Sequence, residues 1–215
     1  MLPNWIYYLI GKKSGGGSPA PTPTSLILPN GIKFGDSILE SYPDYFDFSE
    51  IINARNLFRQ NYSLKTFSGS FDSCTDMGGL FYSDNKLESV TLNNITNVTV
   101  FSTAFQGCSK LTSVTLGECS PTNCVSMFTS CSSLVNLPVF NLNLTNGQIQ
   151  NMVSYCSSLS NESIQNLLKM VNAIQQFPYT KTLKYLGLTQ SQATIATSFT
   201  TEWNALVAKG WTTGY

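Results

Sequence analysis

Apolar residues in this chain recur on a period far longer than a helix turn or a strand. Leu64, Leu87, Leu111, Leu134, Leu159 and Leu183 stand 23, 24, 23, 25 and 24 residues apart. After most of them the pattern L-x-x-L-x-L returns: Leu87, Val90, Leu92; Leu111, Val114, Leu116; Leu134, Leu137, Val139; and Leu183, Leu186, Leu188. The first copy, Leu64 with Phe67, is looser. Six residues before the leucine sits Phe58, Phe81, Phe105, Phe128 or Val153, preceded by Leu57, Leu80, Ala104, Met127 or Met152. Three positions earlier come Ala54, Met77, Phe101, Cys124 and Ile149. A fixed period of about 20 to 50 residues marks units that bury their apolar faces against one another.

The pattern predicts an α/β fold: a short leucine-rich-repeat solenoid over 57–188, whose L-x-x-L-x-L segments are strands of one parallel sheet. Glu162 breaks the strand pattern after Leu159. Beyond it Ile164, Leu167, Leu168, Val171 and Ile174 share one helical face, with Ser160 or Asn161 as N-cap. A second helix, about Gln190 to Lys209, aligns Ile195, Phe199, Trp203, Leu206 and Val207, stops at Gly210 and caps the stack within 189–215. At the other end, SLILPNGIKF predicts a hairpin around Pro29-Asn30-Gly31, within a capping segment 26–56.

Ahead of that segment the pattern changes character. Residues 1–13, MLPNWIYYLIGKK, carry one short apolar run, Trp5, Ile6, Tyr7, Tyr8, Leu9 and Ile10, which suits neither a secretory signal nor a membrane span. Residues 14–25, SGGGSPAPTPTS, are a linker, flexible and then stiffer. An apolar peptide on a tether is expected to anchor the larger body.

Charge and chemistry narrow the function. Lys and Arg number 12, Asp and Glu 12, and charged residues make up only 11% of the chain, so no basic field exists for nucleic acid. The chain has no histidine, which removes Ser-His-Asp and Cys-His catalysis. Cys108, Cys131 and Cys156 share one register, three residues before a leucine, where the first two repeats hold Asn61 and Asp84. A line of single thiols favours small buried fillers over a metal site, and disulfides between neighbouring repeats would leave one thiol unpaired. Asn or Asp in that slot would satisfy turn amides. Cys119 and Cys124 form a C-x4-C pair without a second pair at zinc spacing, and Cys74 sits in a turn. Asp44, Asp47 and Glu50 are read as solvated loop charges, and the sequons at Asn94 and Asn97 as products of an Asn- and Thr-rich composition. No cofactor or metal is expected.

The segments FDFSEIINARNLF, FSTAFQGCSKLTSVTL and CVSMFTSCSSLVNLPVF, with the tail TKTLKYLGLT and the final AKGW, resemble the BspA-like leucine-rich repeats of bacterial surface proteins and phages. The resemblance runs from about Ser25 to the end and implies a non-enzymatic binding or display protein. The expected binding face is the open side of the sheet: Lys65, Thr66, Ser68, Glu88, Ser89, Thr91, Thr112, Ser113, Thr115, Val135 and Asn136. The expected partners are a capsid or tail protein at the N-terminal peptide and a host surface protein or glycan at the sheet. The expected location is a phage virion, with a bacterial cell-surface or secreted adhesin as the alternative.

Overall fold

A computed structural model describes residues 40–41, 48–142, 148–174 and 179–215. The apolar peptide, the linker and the hairpin expected at Pro29-Asn30-Gly31 lie outside them. Within them the protein is mixed α/β. Strands β1 (Thr66–Ser70), β2 (Ser89–Asn93) and β3 (Ser113–Leu116) form a parallel sheet in the order β1-β2-β3. Helices α1 (Asn161–Asn172), α2 (Leu183–Leu186), α3 (Gln190–Ser198) and α4 (Thr200–Ala208) follow.

The sequence period is also the hydrogen-bonding register. Thr66 pairs with Ser89 and Ser89 with Ser113, so each strand lies beside the same segment of the next repeat. A second ladder of single bridges joins Asn53, Asp76, Val100, Asn123 and Gln148. The oxygens of Asn53, Asp76 and Asn123 each accept the amide two residues on, an Asx turn that fixes the corner.

Between that ladder and the leucine the chain runs through tight turns whose amides alternate. Asn56, Phe58 and Gln60 donate to Gly78, Leu80 and Tyr82 of the next repeat, while Leu57, Arg59 and Asn61 donate three residues back. In the first repeat every amide from Ala54 to Asn61 is thereby paired, as buried backbone requires. The geometry needs a left-handed residue at two places per repeat, eight and four before the leucine. Asn56 and Gln60, Gly79 and Ser83, Thr103 and Gly107, Ser126 and Ser130, and Asn151 and Tyr155 fill them, with φ from 54 to 82°. In a turn closed three residues back, as from Leu57 to Ala54, a positive φ at the third residue is the type II requirement.

Side chains between the walls form one core. All the repeated apolar positions named above, from Ala54 to Leu159, are buried except Leu116, which is half-buried, and Val139. Phe58, Phe81, Phe105 and Phe128 stack in a column, with successive centroids 5.2, 5.6 and 5.2 Å apart and planes inclined by 8, 21 and 7°. Repetition of one aromatic at one register makes the column continuous.

Three expectations about local structure are corrected. The fourth repeat forms no strand: after the single bridge from Ser113 to Asn136, Leu137 donates to Ser163 Oγ at 2.9 Å, and Pro138 has no amide to continue a ladder. The Val135 carbonyl instead accepts from Ser160 N and Ser163 Oγ, so α1 docks where a strand would pair, and Val139 is 63% exposed. Ser160 is the N-cap of α1.

The sixth L-x-x-L-x-L segment is a helical turn, although Leu183, Leu186 and Leu188 are all buried as the pattern required. Thr182 caps it at 3.0 Å from Tyr185 N, and Gly187, at φ 94°, ends it. That glycine presses on the last repeat, since a Cβ there would lie 2.5 Å from Ser154 N. The C-terminal helix is two helices, broken at Phe199 with ψ 75°. Thr194, Thr197 and Ser198 turn their hydroxyls back onto the carbonyls of Gln190, Thr194 and Ile195, which competes with the helical ladder. Ile195, Phe199 and Trp203 still pack on the core and Leu206 is buried, but Val207 is 47% exposed.

Removing one ring from the middle of the column, Phe105→Ala, is expected to destabilise the protein by about 3–5 kcal/mol. Tyr62→Ala, on the exposed outer wall, should stay within about 0.5 kcal/mol of the parent. Urea unfolding followed by circular dichroism measures both.

Candidate functional site

The outward side of the sheet is assembled by strand alternation. Phe67, Val90 and Val114 point inward at matched positions, so their neighbours must point out. Thr66, Ser89, Ser113 and Asn136 thus form one row, and Ser68, Thr91 and Thr115 the next. Lys65, Glu88 and Thr112 precede the strands and are joined by their own rung, Glu88 N to the Lys65 carbonyl at 2.7 Å and Thr112 N to the Glu88 carbonyl at 2.9 Å. The ten polar residues expected on a binding face therefore lie in three adjacent rows, and Val135, expected beside them, is exposed.

Parallel pairing sets neighbouring side chains of a row about 4.8 Å apart. The Thr112 hydroxyl donates to the Glu88 carbonyl at 3.0 Å. The side chains of Thr66, Ser68, Ser89, Thr91, Ser113, Thr115 and Asn136 make no hydrogen bond to any described residue. They are held in place by backbone alone and keep their donors and acceptors for solvent or a partner.

One edge of this face carries charge. Glu40 bonds Lys65 at 2.9 Å and, with a lesser contribution from Glu88, raises the Lys65 pKa above its ordinary value. Ser41 bridges to Thr66 and lengthens the first row. Both residues escaped the repeat reading. The signal was present, because Leu39 stands 25 residues before Leu64 and Glu40-Ser41 occupy the positions of Lys65-Thr66.

The cysteines face inward. All six are buried and free. The thiols of Cys108, Cys131 and Cys156 donate to the carbonyls of Phe81, Phe105 and Phe128 at 3.0, 3.0 and 2.9 Å, each reaching into the preceding repeat. Burial pushes the thiol pKa values up, to about 12 for Cys156, to about 11 for Cys119, and well above the usual value for Cys108 and Cys131. Cys108, Cys131 and Cys156 are donors that tie repeats together, and burial works against a nucleophilic thiolate at all four. Among the described residues no cluster of three or more Cys, Asp or Glu could hold a metal ion. Glu50 is exposed, while Asp44 and Asp47 lie outside the described residues.

In the first two repeats the same slot is polar. Asn61 Oδ1 accepts from Ser63 N and Leu64 N, both at 3.0 Å, as expected of a residue that satisfies turn amides. Asp84 is fully buried; its Oδ1 accepts from Asn61 N at 2.6 Å, and its Oδ2 has no partner. Burial raises its pKa from 3.8 to about 9, against the opposing pull of the Asn61 amide, so the carboxyl is neutral at pH 7.

No family model, curated protein or solved structure matches the chain. Among the described residues no helix is long and apolar enough to cross a membrane.

Two outcomes follow from the buried slot. A carboxyl with its folded pKa above the unfolded value favours the fold at low pH, and that contribution is lost as pH rises from about 4 towards 9. Asp84→Asn, which places there the residue of the preceding repeat, should stabilise the protein at pH 8 by about 1 kcal/mol or more, the difference closing towards pH 4. Urea midpoints across that range give the measurement. The six thiols should resist a disulfide-exchange reagent at pH 8 in the native protein and all react once it is unfolded in guanidinium.

Proposed function

We propose that the protein is a leucine-rich-repeat solenoid serving as a non-enzymatic binding module, displayed on a phage virion from its N-terminal peptide. The observation that carries this reading is the outward face of β1–β3 with the adjoining Asn136, where seven polar side chains stand in rows and make no hydrogen bond to any described residue. A face held by backbone pairing loses little side-chain freedom on binding, which favours recognition of an extended host surface protein or glycan. Stacking at the sequence period and a core of repeated leucines and phenylalanines support the solenoid class. The apolar run Trp5 to Ile10, followed by the linker 14–25, supports anchoring at the N-terminus.

Two experiments separate the halves of this proposal. Deleting residues 1–25 should leave a folded protein that no longer co-purifies with virions. Retention on the particle would remove the anchor. Thr91→Arg with Thr115→Arg, on the middle row, should cut adsorption of particles to host cells at least tenfold without lowering the melting temperature. Unchanged adsorption would remove the sheet as the binding face. Recovery of the protein on the surface of cells free of phage genes would replace the virion with the bacterial adhesin.

A further inference from the structure

The outer wall carries a cleft, separate from the sheet, of about 460 Å3. It crosses successive repeats through Gln106, Ser126 and Asn151, and Lys184 and Tyr215 lie on its C-terminal side. Tyr155 also lines it. That volume falls in the range of small-molecule sites.

Tyr155 is the anomaly of the repeat. The left-handed slot four residues before the leucine holds Gln60, Ser83, Gly107 and Ser130 in the other repeats. Here it holds a bulky aromatic at φ 60° whose side chain is exposed, the residue being 75% accessible. A left-handed aromatic costs about 1–3 kcal/mol, and a residue this exposed recovers little of that by packing. Its neighbours in the cleft, Ser126 and Asn151, are also left-handed, at φ 54 and 56°, so three lining residues are fixed by the turn geometry.

The chemistry of the lining is selective. The side-chain amides of Gln106 and Asn151 make no hydrogen bond to any described residue and present both donors and acceptors. Tyr215, half-exposed, is fixed by its hydroxyl, which donates to the Leu188 carbonyl, and its ring lies 5.3 Å from Lys184 Nζ. No carboxylate side chain lines the cleft, and Lys184 is its one cation. A single lysine is weak recognition for a phosphate group, and the hydroxyl and amide lining is poor for an apolar ligand. Two accessible tyrosine rings beside free amides suit a ligand with apolar C–H faces and a rim of hydroxyls.

We infer that this cleft is a saccharide-binding site, in which Tyr155 and Tyr215 receive the flat faces of sugar rings and Gln106 and Asn151 bond their hydroxyls. It lies apart from the sheet face and adds a second surface to the display protein proposed above. Glycine in place of a left-handed residue keeps the backbone, so the informative variants should fold. Saturation-transfer NMR and calorimetry on the full chain would use chitobiose, lactose, maltose and sialyllactose as probes, with a pooled tyrosine-free peptide library alongside.

At least one sugar should bind with a millimolar or tighter Kd. Tyr155→Gly and Asn151→Gly should weaken it at least tenfold, with the melting temperature of Tyr155→Gly equal to or above the parent's. Ser130→Gly, in the equivalent slot one repeat earlier, should bind as the parent does. Failure of all four sugars, binding of peptides alone, or sugar binding unchanged by Tyr155→Gly would each overturn the inference. Because the assay uses isolated protein, it succeeds or fails whether or not the chain is carried on a virion.

Discussion

Everything in this molecule depends on the lateral pairing of each repeat with the next. A turn-rich wall has no helical ladder to satisfy its amides, and leaving them unpaired in a buried setting would cost more than the core could offset. The alternation in which Asn56, Phe58 and Gln60 reach forward while Leu57, Arg59 and Asn61 reach back solves this, and it is kept in repeats of 23 to 25 residues. The pairing sets equivalent positions of successive repeats beside one another. Phenylalanines fall above phenylalanines, thiols reach the carbonyl of the preceding ring, and hydroxyls line up across the sheet.

The slot before each leucine shows how such a register tolerates chemical variety. It must present a hydrogen-bonding atom inside an apolar stack, and amide, carboxyl and thiol all do so. They differ in what burial does to them. The Asn61 amide bonds two turn amides, the thiols become donors with high pKa values, and the Asp84 carboxyl is held neutral with one oxygen unpartnered. The later repeats use the group that buries with least electrostatic penalty.

The core and the sheet rows were legible in the sequence because each depends on spacing alone. Leu87, Val90 and Phe81 declare their role by recurring, and strand alternation then assigns Ser89 and Thr91 to the outside. What spacing could not reveal was a change of backbone beneath an unchanged pattern. Leu183, Leu186 and Leu188 keep the apolar spacing and are buried, yet Thr182 and Gly187 wrap them into a helical turn. Asn136 makes a single bridge that Pro138 and the hydroxyl of Ser163 prevent from extending into a strand. The cleft was illegible for another reason: it is formed where the last repeat differs from the rest, and a search for sameness passes over Tyr155. The candidate anchor, Trp5 to Ile10, lies outside the described residues.

The left-handed positions of the outer wall have a consequence for how side-chain chemistry is distributed over this molecule. Eight of the ten slots that recur through the five repeats are filled by residues other than glycine, so the wall already bears the corresponding torsional strain. Stability gained elsewhere, in the phenylalanine column and the thiol ties, leaves room for side chains to be carried at these slots. Each left-handed slot is therefore a mount that takes different side chains from repeat to repeat on one backbone conformation. Chemical variety in this molecule is thereby carried on the turns, while the strand rows repeat mainly Ser and Thr.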